Sequence, residues 1–456
     1  MAHIKPDNYN QFLKKYSDLK GIDLLIADLN GVLRGKRIQT SALGKVFQEG
    51  LLLPASVFAG DITGATVEET GLGIAQGDSD RVCLPIPGTL SKSPWYKKSM
   101  AQVLMTMHEV DGNPFFADPR QVLKRIIGQF QESGFTAVVA VELEFYLLDI
   151  RRNRQKYPQP PISPVTGKRD KNTQVYSVDD LDDYGEFLDQ VVKGAESQGI
   201  PADTALAEYA PGQFEINLKH EADPLSACDN AILLKRLVKG VAREMGMIAT
   251  FMAKPYAQQA GSGTHIHISI LNRNKKNIFS DPLNETGSEI FHHAIGGLCK
   301  TMKESMAIFC PNANSYRRFQ PDLYVPMAPT WGIDNRTVAV RIPAGPEKAK
   351  RIEHRVSGAD ANPYIVTASI LAGMHYGMTQ KIEPPKISTG DTLLKHKPSL
   401  PMTKVESLEA FSKSKILKKY FGKEFCHVYY ETKYKEMKKF DSHITSLELD
   451  WYLRSV

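Results

Sequence analysis

Residues 135–150 read FTAVVAVELEFYLLDI, an apolar run broken near its centre by two glutamates, Glu142 and Glu144. Its length and its β-branched and aromatic content predict a buried strand. Successive strand side chains alternate between faces, so carboxylates at i and i+2 share one face while Val141, Leu143 and Phe145 take the other. Two carboxylates on a buried face repel and desolvate each other unless a cation lies between them. The pattern therefore asks for a metal or a basic partner.

On the N-terminal side, a helix over about 7–18 precedes GIDLLIADLNGVLRGKRI (21–38), where apolar runs flank an Asn-Gly hairpin signal. A further strand in AQVLMTMHEVDG (101–112) is followed by Pro114 and Pro119, which predict a helix starting near Asp118. A domain boundary is placed at 113–117, giving units 1–113 and 117–456. Beyond the glutamate strand, amphipathic helices are expected over 223–247 and 286–309, with two strands between 248 and 271. The irregular alternation predicts an α+β fold with mainly antiparallel pairing.

The 456 residues carry a net charge of +6 and 42% apolar residues, enough for sizeable cores without a nucleic-acid-binding charge surplus. The five cysteines, Cys83, Cys228, Cys299, Cys310 and Cys426, form no CxxC pair and predict reduced thiols in a cytoplasmic protein. No signal-peptide core and no long apolar run points to a membrane.

AEYAPGQFEINL (207–218) holds Glu208 and Glu215 seven apart, with Pro211-Gly212 between them. An odd spacing sends side chains to opposite faces of one straight strand, so a turn must reset the phase for both to reach one cleft. In QQAGSGTHIHISI (258–270), His265 and His267 share a face by the same period of two. A donor set drawn mainly from glutamates favours Mg²⁺ or Mn²⁺ over zinc. Arg336 and Arg341 flank an apolar stretch, and Arg351, Glu353 and Arg355 alternate so that a carboxylate sits between two guanidiniums. Such forks of donors suit phosphate and carboxylate.

VELEF, PGQFEINL, FMAKPY, GSGTHIHIS, NSYRRF, NRTVAVRIP and RIEHR followed by ANPY together resemble the glutamine synthetase family, in order and spacing, from about residue 20 to HITSLELDWYL. The resemblance implies an N-terminal β-grasp domain, a catalytic domain with a curved antiparallel sheet, and a homododecamer of two stacked hexameric rings with active sites between subunits. It implies two or more Mg²⁺ or Mn²⁺ ions per site, one on Glu144, Glu208 and Glu215, the other on Glu142, His265 and Glu353. It places ATP near His267, Ser269, Arg336, Arg341, Lys348 and Arg351, and L-glutamate on Gly261, Arg318 and Arg355. Arg336, Glu208 and Arg355 are the expected catalytic residues of a ligase that phosphorylates the γ-carboxylate and passes the acyl group to an amine.

Departures from the family pattern concern the amine. Ammonium-using members carry a glutamate in the flap where DLYVP has Tyr324, an asparagine where this chain has Ala260, and a DGSS loop where LPASVFAGDITG stands. These stretches resemble the γ-glutamylputrescine synthetase branch, so a polyamine acceptor is expected, with ammonium, ethanolamine, a monoamine or an aniline as alternatives and an inactive regulatory homologue as the remote one. Tyr324, Ala260, Trp331 and Tyr176 are the candidate amine-pocket residues. Asp61, Glu68, Glu69 and the DDLDD run from Asp179 are considered for a distal ammonium, and no counterpart of the family's adenylylation tyrosine stands in ISTGDTLLKHKPSLP (387–401).

Overall fold

The computed structural model describes residues 7–172, 175–320 and 323–456. A first sheet is built from β1 (Gly21–Ala27), β2 (Leu33–Ile38), β3 (Leu51–Pro54), β4 (Asp80–Pro85), β5 (Ser91–Lys92) and β6 (Met100–His108). Its order is β2-β1-β6-β4-β3, with β5 beside β6. The central β1–β6 pair is parallel and the other pairs are antiparallel.

Helix Pro119–Glu132 follows, and its start shows how the sequence links one layer to the next. Asp118 accepts from the Arg120 amide at 2.8 Å with Pro119 at the first helical position. Its other oxygen accepts from Thr106 and from the Met107 amide on β6, so one carboxylate fixes the helix start to the first sheet.

The second sheet comprises β7 (Thr136–Asp149), β8 (Ala202–Ala207), β9 (Gln213–Leu218), β10 (Met247–Thr250), β11 (Thr264–Leu271), β12 (Trp331–Ile333), β13 (Val340–Ile342) and β14 (Ile352–His354). The order is β12-β13-β14-β11-β7-β9-β8, with β10 also on β7, and only β12–β13 is parallel. The antiparallel expectation thus holds for this sheet. β7, at 14 residues, is the widest shared strand: Val141, Leu143 and Phe145 are buried in one core with Leu234, Leu237 and Val238 of helix Pro224–Glu244. That packing leaves the glutamate face of β7 turned away from the helix layer.

The predicted helices appear as Asp7–Lys15, Pro224–Glu244 and Glu289–Phe309, the last two capped by Asp223 and Ser288. Helices dominate after residue 362, ending in Ser446–Tyr452. All five thiols are free, with Cys299 alone short of full burial. Among the described residues no helix is long and apolar enough to cross a membrane.

Candidate active site

Strand register assembles the site. Glu142 stands opposite His265 on β11 and Asn217 on β9, while Glu144 stands opposite Glu215 on β9. On the next ladder His267 faces Glu353 on β14, and Glu353 faces Arg341 on β13. Directly opposed residues share a face, so carboxylates, imidazoles and a guanidinium from five strands meet on one side of the sheet.

Glu208 joins them through a turn. Its amide donates to the Gln213 carbonyl, closing a loop in which Gly212 adopts φ +73°. A Cβ on Gly212 would lie 2.9 Å from the Leu147 carbonyl, so glycine is required there on two counts. The turn resets the phase, as the odd spacing of Glu208 and Glu215 demanded.

Glu142, Glu144, Glu208, Glu215, His265, Arg341 and Glu353, though neither His267 nor Arg351, line a cavity of about 470 Å³ whose walls also hold Gly261, Arg318, Arg336 and Arg355. Gly261 has no room for a side chain: a Cβ would sit 2.6 Å from Arg318 Cγ and 2.7 Å from the Ala253 carbonyl. Arg318 is 3% exposed and spends Nη1 on the Val356 carbonyl, but its Nε has no partner. Arg355 pairs with Glu353, and its Nε is likewise unspent. Arg336 makes no hydrogen bond or ion pair among the described residues. Arg318 and Arg355 are buried and Arg336 is exposed at the cavity, and guanidinium donors left open there suit an anionic ligand.

The carboxylates split into two electrostatic groups. Burial, then Glu144, pushes the Glu208 carboxyl up to about 8. Burial, then Glu142, Glu144 and Glu208, raises Glu215 well above the usual carboxylate range. Burial also opposes ionisation of Glu353, yet Arg355, His265, His267 and Arg341 hold it down at about 2. Glu142 is lowered too: its burial is outweighed by hydrogen bonds from His265 and His267. One end of the site therefore has surplus negative charge that a cation would neutralise.

The donor set fits that cation. Oxygens of Glu144, Glu208 and Glu215 lie within 4.8 Å of one another, as do ligand atoms of Glu142, Glu215 and His265, and of Glu142, His267 and Glu353. The all-oxygen group suits a hard divalent ion. His265 Nδ1 is 3.2 Å from Glu142 and 3.9 Å from Glu353, and His267 Nε2 is 2.9 Å from Glu142. Both histidines thus border the second position, because the β11–β14 register sets His267 opposite Glu353.

Other expected residues fall in different places. The arginine between which and Arg355 Glu353 is held is Arg341, at 2.7 Å, rather than Arg351, since β13 places Arg341 directly opposite Glu353. Arg351 instead donates from Nε to His267 Nδ1 at 3.1 Å. Ser269 lies two residues beyond His267 on the same strand face, and Lys348 is exposed on the turn Glu347–Ala349; neither lines the cavity.

Tyr176, Tyr324 and Ala260 line the cavity, whereas Trp331 does not. Trp331 pairs with Val340, which alternates with Arg341, so its ring takes the opposite face. There its indole donates to the Pro385 carbonyl at 2.6 Å beside His292. The considered acids are also elsewhere: Asp61 pairs with Lys439, Glu69 with Lys435, Glu68 bonds the Ile74 and Ala75 amides, and the DDLDD aspartates lie outside the cavity lining. Asp322, which opens DLYVP, is outside the described residues. Sequence reading missed Gln213, Asn217 and Tyr209 in the walls. Gln213 and Asn217 flank Glu215 at i±2, and that spacing alone could have placed them on its face. Gln213 Nε2 donates to the Gly261 carbonyl at 3.1 Å, linking two walls.

Residues 116–452 match the family of the glutamine synthetase catalytic domain. The chain belongs to the glutamine synthetase family. It is 46% identical to gamma-glutamylputrescine synthetase PuuA of Escherichia coli, over 98% of this chain and 94% of that protein. It is 33% identical to a glutamate–isopropylamine ligase of a Pseudomonas species, over 97% of this chain and 96% of that one. In three dimensions it is similar to a GmaS/ADP complex, with a TM-score of 0.84 and 25% identity over 97% of this chain and 98% of the other. Glutamine synthetase membership brings the reaction class, an ATP-dependent glutamate–amine ligase.

Proposed function

We propose that the chain forms a γ-glutamyl amide from L-glutamate and a polyamine, putrescine foremost, through γ-glutamyl phosphate, releasing ADP and phosphate. The observation that carries this reading is one cavity in which a carboxylate cluster, open guanidinium donors and a rim of Tyr176, Tyr209 and Tyr324 meet. The 46% identity to an enzyme named for putrescine supports the acceptor.

When bound, Mg²⁺ or Mn²⁺ on Glu144, Glu208 and Glu215, and on Glu142, His265 and Glu353, would offset negative charge on the phosphate oxygens during transfer. The protein's part is positioning. Arg318 and Arg355 hold the carboxylates of glutamate, and Gly261 leaves the space beside them. Arg336, Arg341, Lys348 and Arg351, with His267 and Ser269, serve the nucleotide end, and Arg336, free of other partners, faces the phosphoryl group that moves. The amine nitrogen attacks the acyl carbon, the bond to phosphate breaks, and the proton shed passes to Glu208, the carboxylate beside rim residue Tyr209. Tyrosine faces accept alkyl stems and cations alike.

A monoamine acceptor is the second reading, and a specific observation favours it. Every carboxylate lining the cavity, Glu142, Glu144, Glu208, Glu215 and Glu353, belongs to the cation-type groups, which leaves ring faces alone for a distal ammonium among the described residues. Purified protein with glutamate, ATP and Mg²⁺ is tested with putrescine, spermidine, isopropylamine, ethanolamine and ammonium, following phosphate release and the mass of the amide. Highest kcat/KM with putrescine supports the first reading; highest with isopropylamine replaces it; highest with ammonium sinks both.

The same reading includes a cytoplasmic homododecamer and units 1–113 and 117–456. Supporting the assembly, helix Ser446–Tyr452 has no buried residue, and Leu447 and Trp451, one turn apart on the same face, are 52 and 58% exposed. An uncovered apolar face of this kind fits a second copy. Supporting the boundary, the first sheet ends at His108 and the next helix begins at Pro119. Sedimentation of the chain with Leu447→Glu and Trp451→Glu tests the assembly.

A further inference from the structure

A second cavity, of about 370 Å³, lies between helix Pro224–Glu244 and the turn that joins β1 to β2, where Asn30, Gly31 and Val32 line it. Lys235, Lys239 and Arg243 recur at i, i+4 and i+8, so they form one stripe of about 12 Å along the helix. Phe251 forms an aromatic wall, with the Lys235 and Lys239 ammoniums 5.3 and 5.6 Å from its ring centre.

The cations of this cleft are poorly neutralised. The Lys239 and Arg243 side chains make no hydrogen bond or ion pair among the described residues. Arg236 is already spent on Asp23 and Gln102. The one acid lining it among the described residues, Asp360, accepts from Asn312 at 2.7 Å and Ser315 at 2.6 Å through Oδ2, and its buried Oδ1 has no hydrogen-bond partner, so a single carboxylate faces Lys235, Lys239 and Arg243. Lys235 donates to the Ala359 and Ala361 carbonyls, and burial, then Lys239, pushes it down to about 7. A basic face on an ordinary surface helix is hydrated; here it is concave, walled by a ring and short of counter-charge.

We propose that this cleft binds a small dianion, a dicarboxylate or an inorganic oxyanion, and that its occupancy changes the affinity for glutamate. The connection is short. Lys235 fixes the carbonyls on either side of Asp360, Asp360 holds Ser315, and Ser315 opens the turn Ser315–Arg318 that delivers Arg318 to the first cavity. The coupling half rests on the glutamate site proposed above; the binding half does not.

The test uses the full-length protein and a Lys239→Ala/Arg243→Ala variant, whose altered side chains are both exposed. Succinate and sulfate are titrated at ionic strength held constant with KCl, which removes general screening as a cause. Without substrates, one anion or both should raise Tm saturably in the native protein and not in the variant; the anion that acts identifies the class. With the amine acceptor and ATP saturating, that anion should shift the KM for glutamate about fivefold or more in the native protein alone. A Tm response equal in both proteins, or none in either, overturns the site. A Tm difference with an unmoved KM overturns the coupling. The Tm arm needs no turnover, so its failure is distinguishable from failure of the ligase reading.

Discussion

Glu144 on β7 and Glu215 on β9 stand directly opposite each other, and Glu208 reaches the same point from the loop before β9. Three carboxylates converging where water is scarce are stable together only with protons or a cation. Glu215→Gln removes one charge while keeping shape. It should stabilise the metal-free protein by about 1 kcal/mol by relieving that repulsion and lower activity by about a hundredfold or more through lost metal affinity. Thermal unfolding in EDTA and kcat/KM at several Mg²⁺ concentrations check both signs. A variant less stable than the parent in EDTA would count against the repulsion account.

Metal removal should show a defined pH dependence. The Glu208 carboxyl is raised to about 8 from 4.5, by burial and then by Glu144, and Glu215 is raised as well. A raised carboxyl means that the folded state binds protons that the unfolded state has released. That contribution is complete below about pH 4.5 and is lost as pH rises through 8, so Tm in EDTA should fall across this window. Adding Mg²⁺ at pH 8 should restore stability, by ~2.7 kcal/mol at a hundredfold excess over Kd, with proton release that grows as pH falls below 8. Tm profiles with and without Mg²⁺, and calorimetry in two buffers of different ionisation heat, measure these effects.

Gly261→Ala tests the glutamate wall proposed above. The added methyl meets the stem of Arg318 at 2.6 Å and the Ala253 carbonyl at 2.7 Å, and only the arginine stem can yield. Overpacking of this kind costs about 1–3 kcal/mol. Most of it should appear as a rise of roughly tenfold to a hundredfold in KM for glutamate, with KM for ATP little changed. Equal rises for both substrates would place the disturbance elsewhere.

The site was legible wherever strand periodicity governed it. Alternation put Glu142 with Glu144, and His265 with His267, on one face of each strand before any pairing was known; the family resemblance, not alternation, grouped Glu142, His265 and Glu353, and the β7–β11–β14 register brings these strands together. Glu208 was legible only as a requirement for a turn, which Gly212 supplies. What alternation could not give was register across β12 and β13: Trp331 is an aromatic near the right arginines, but the parallel pairing with Val340 turns it to the other face. The partner of Glu353 was misplaced for the same reason, Arg341 being its neighbour across strands and Arg351 only its neighbour in sequence. Gly-rich and loop residues such as Tyr209 carry no period and were missed.

Trp331→Phe follows from that correction. It deletes the indole bond to Pro385 and leaves its carbonyl to find another donor, while keeping much of the buried ring. Stability should fall by about 1 kcal/mol, read as a lower Tm or denaturant midpoint. The amine profile should not move, because the ring lies outside the cavity walls. A changed preference among amines would show that Trp331 reaches the acceptor after all.

Tyr324 lines the cavity mouth and is the first candidate for contact with the proposed acceptor. It is 55% exposed and holds φ +54°, while Tyr176 is 58% exposed and holds φ +59°; a bulky side chain in this left-handed region is under backbone strain. Two strained, uncovered tyrosines at one cavity mouth gain contacts only when a ligand supplies them. Tyr324→Ala should therefore raise KM for putrescine by roughly threefold to thirtyfold, the loss of one ring–cation contact of about 0.5–2 kcal/mol. It should leave KM for ATP unchanged. Tyr324→Glu should go further and reverse the order of acceptors, since a carboxylate at the mouth attracts small hydrated cations that a ring face does not. Competition between ammonium and putrescine in one reaction, resolved by the mass of the amide, reads the reversal directly. Unchanged product ratios in both variants would remove Tyr324 from the acceptor site and leave selection to Tyr176 and Tyr209.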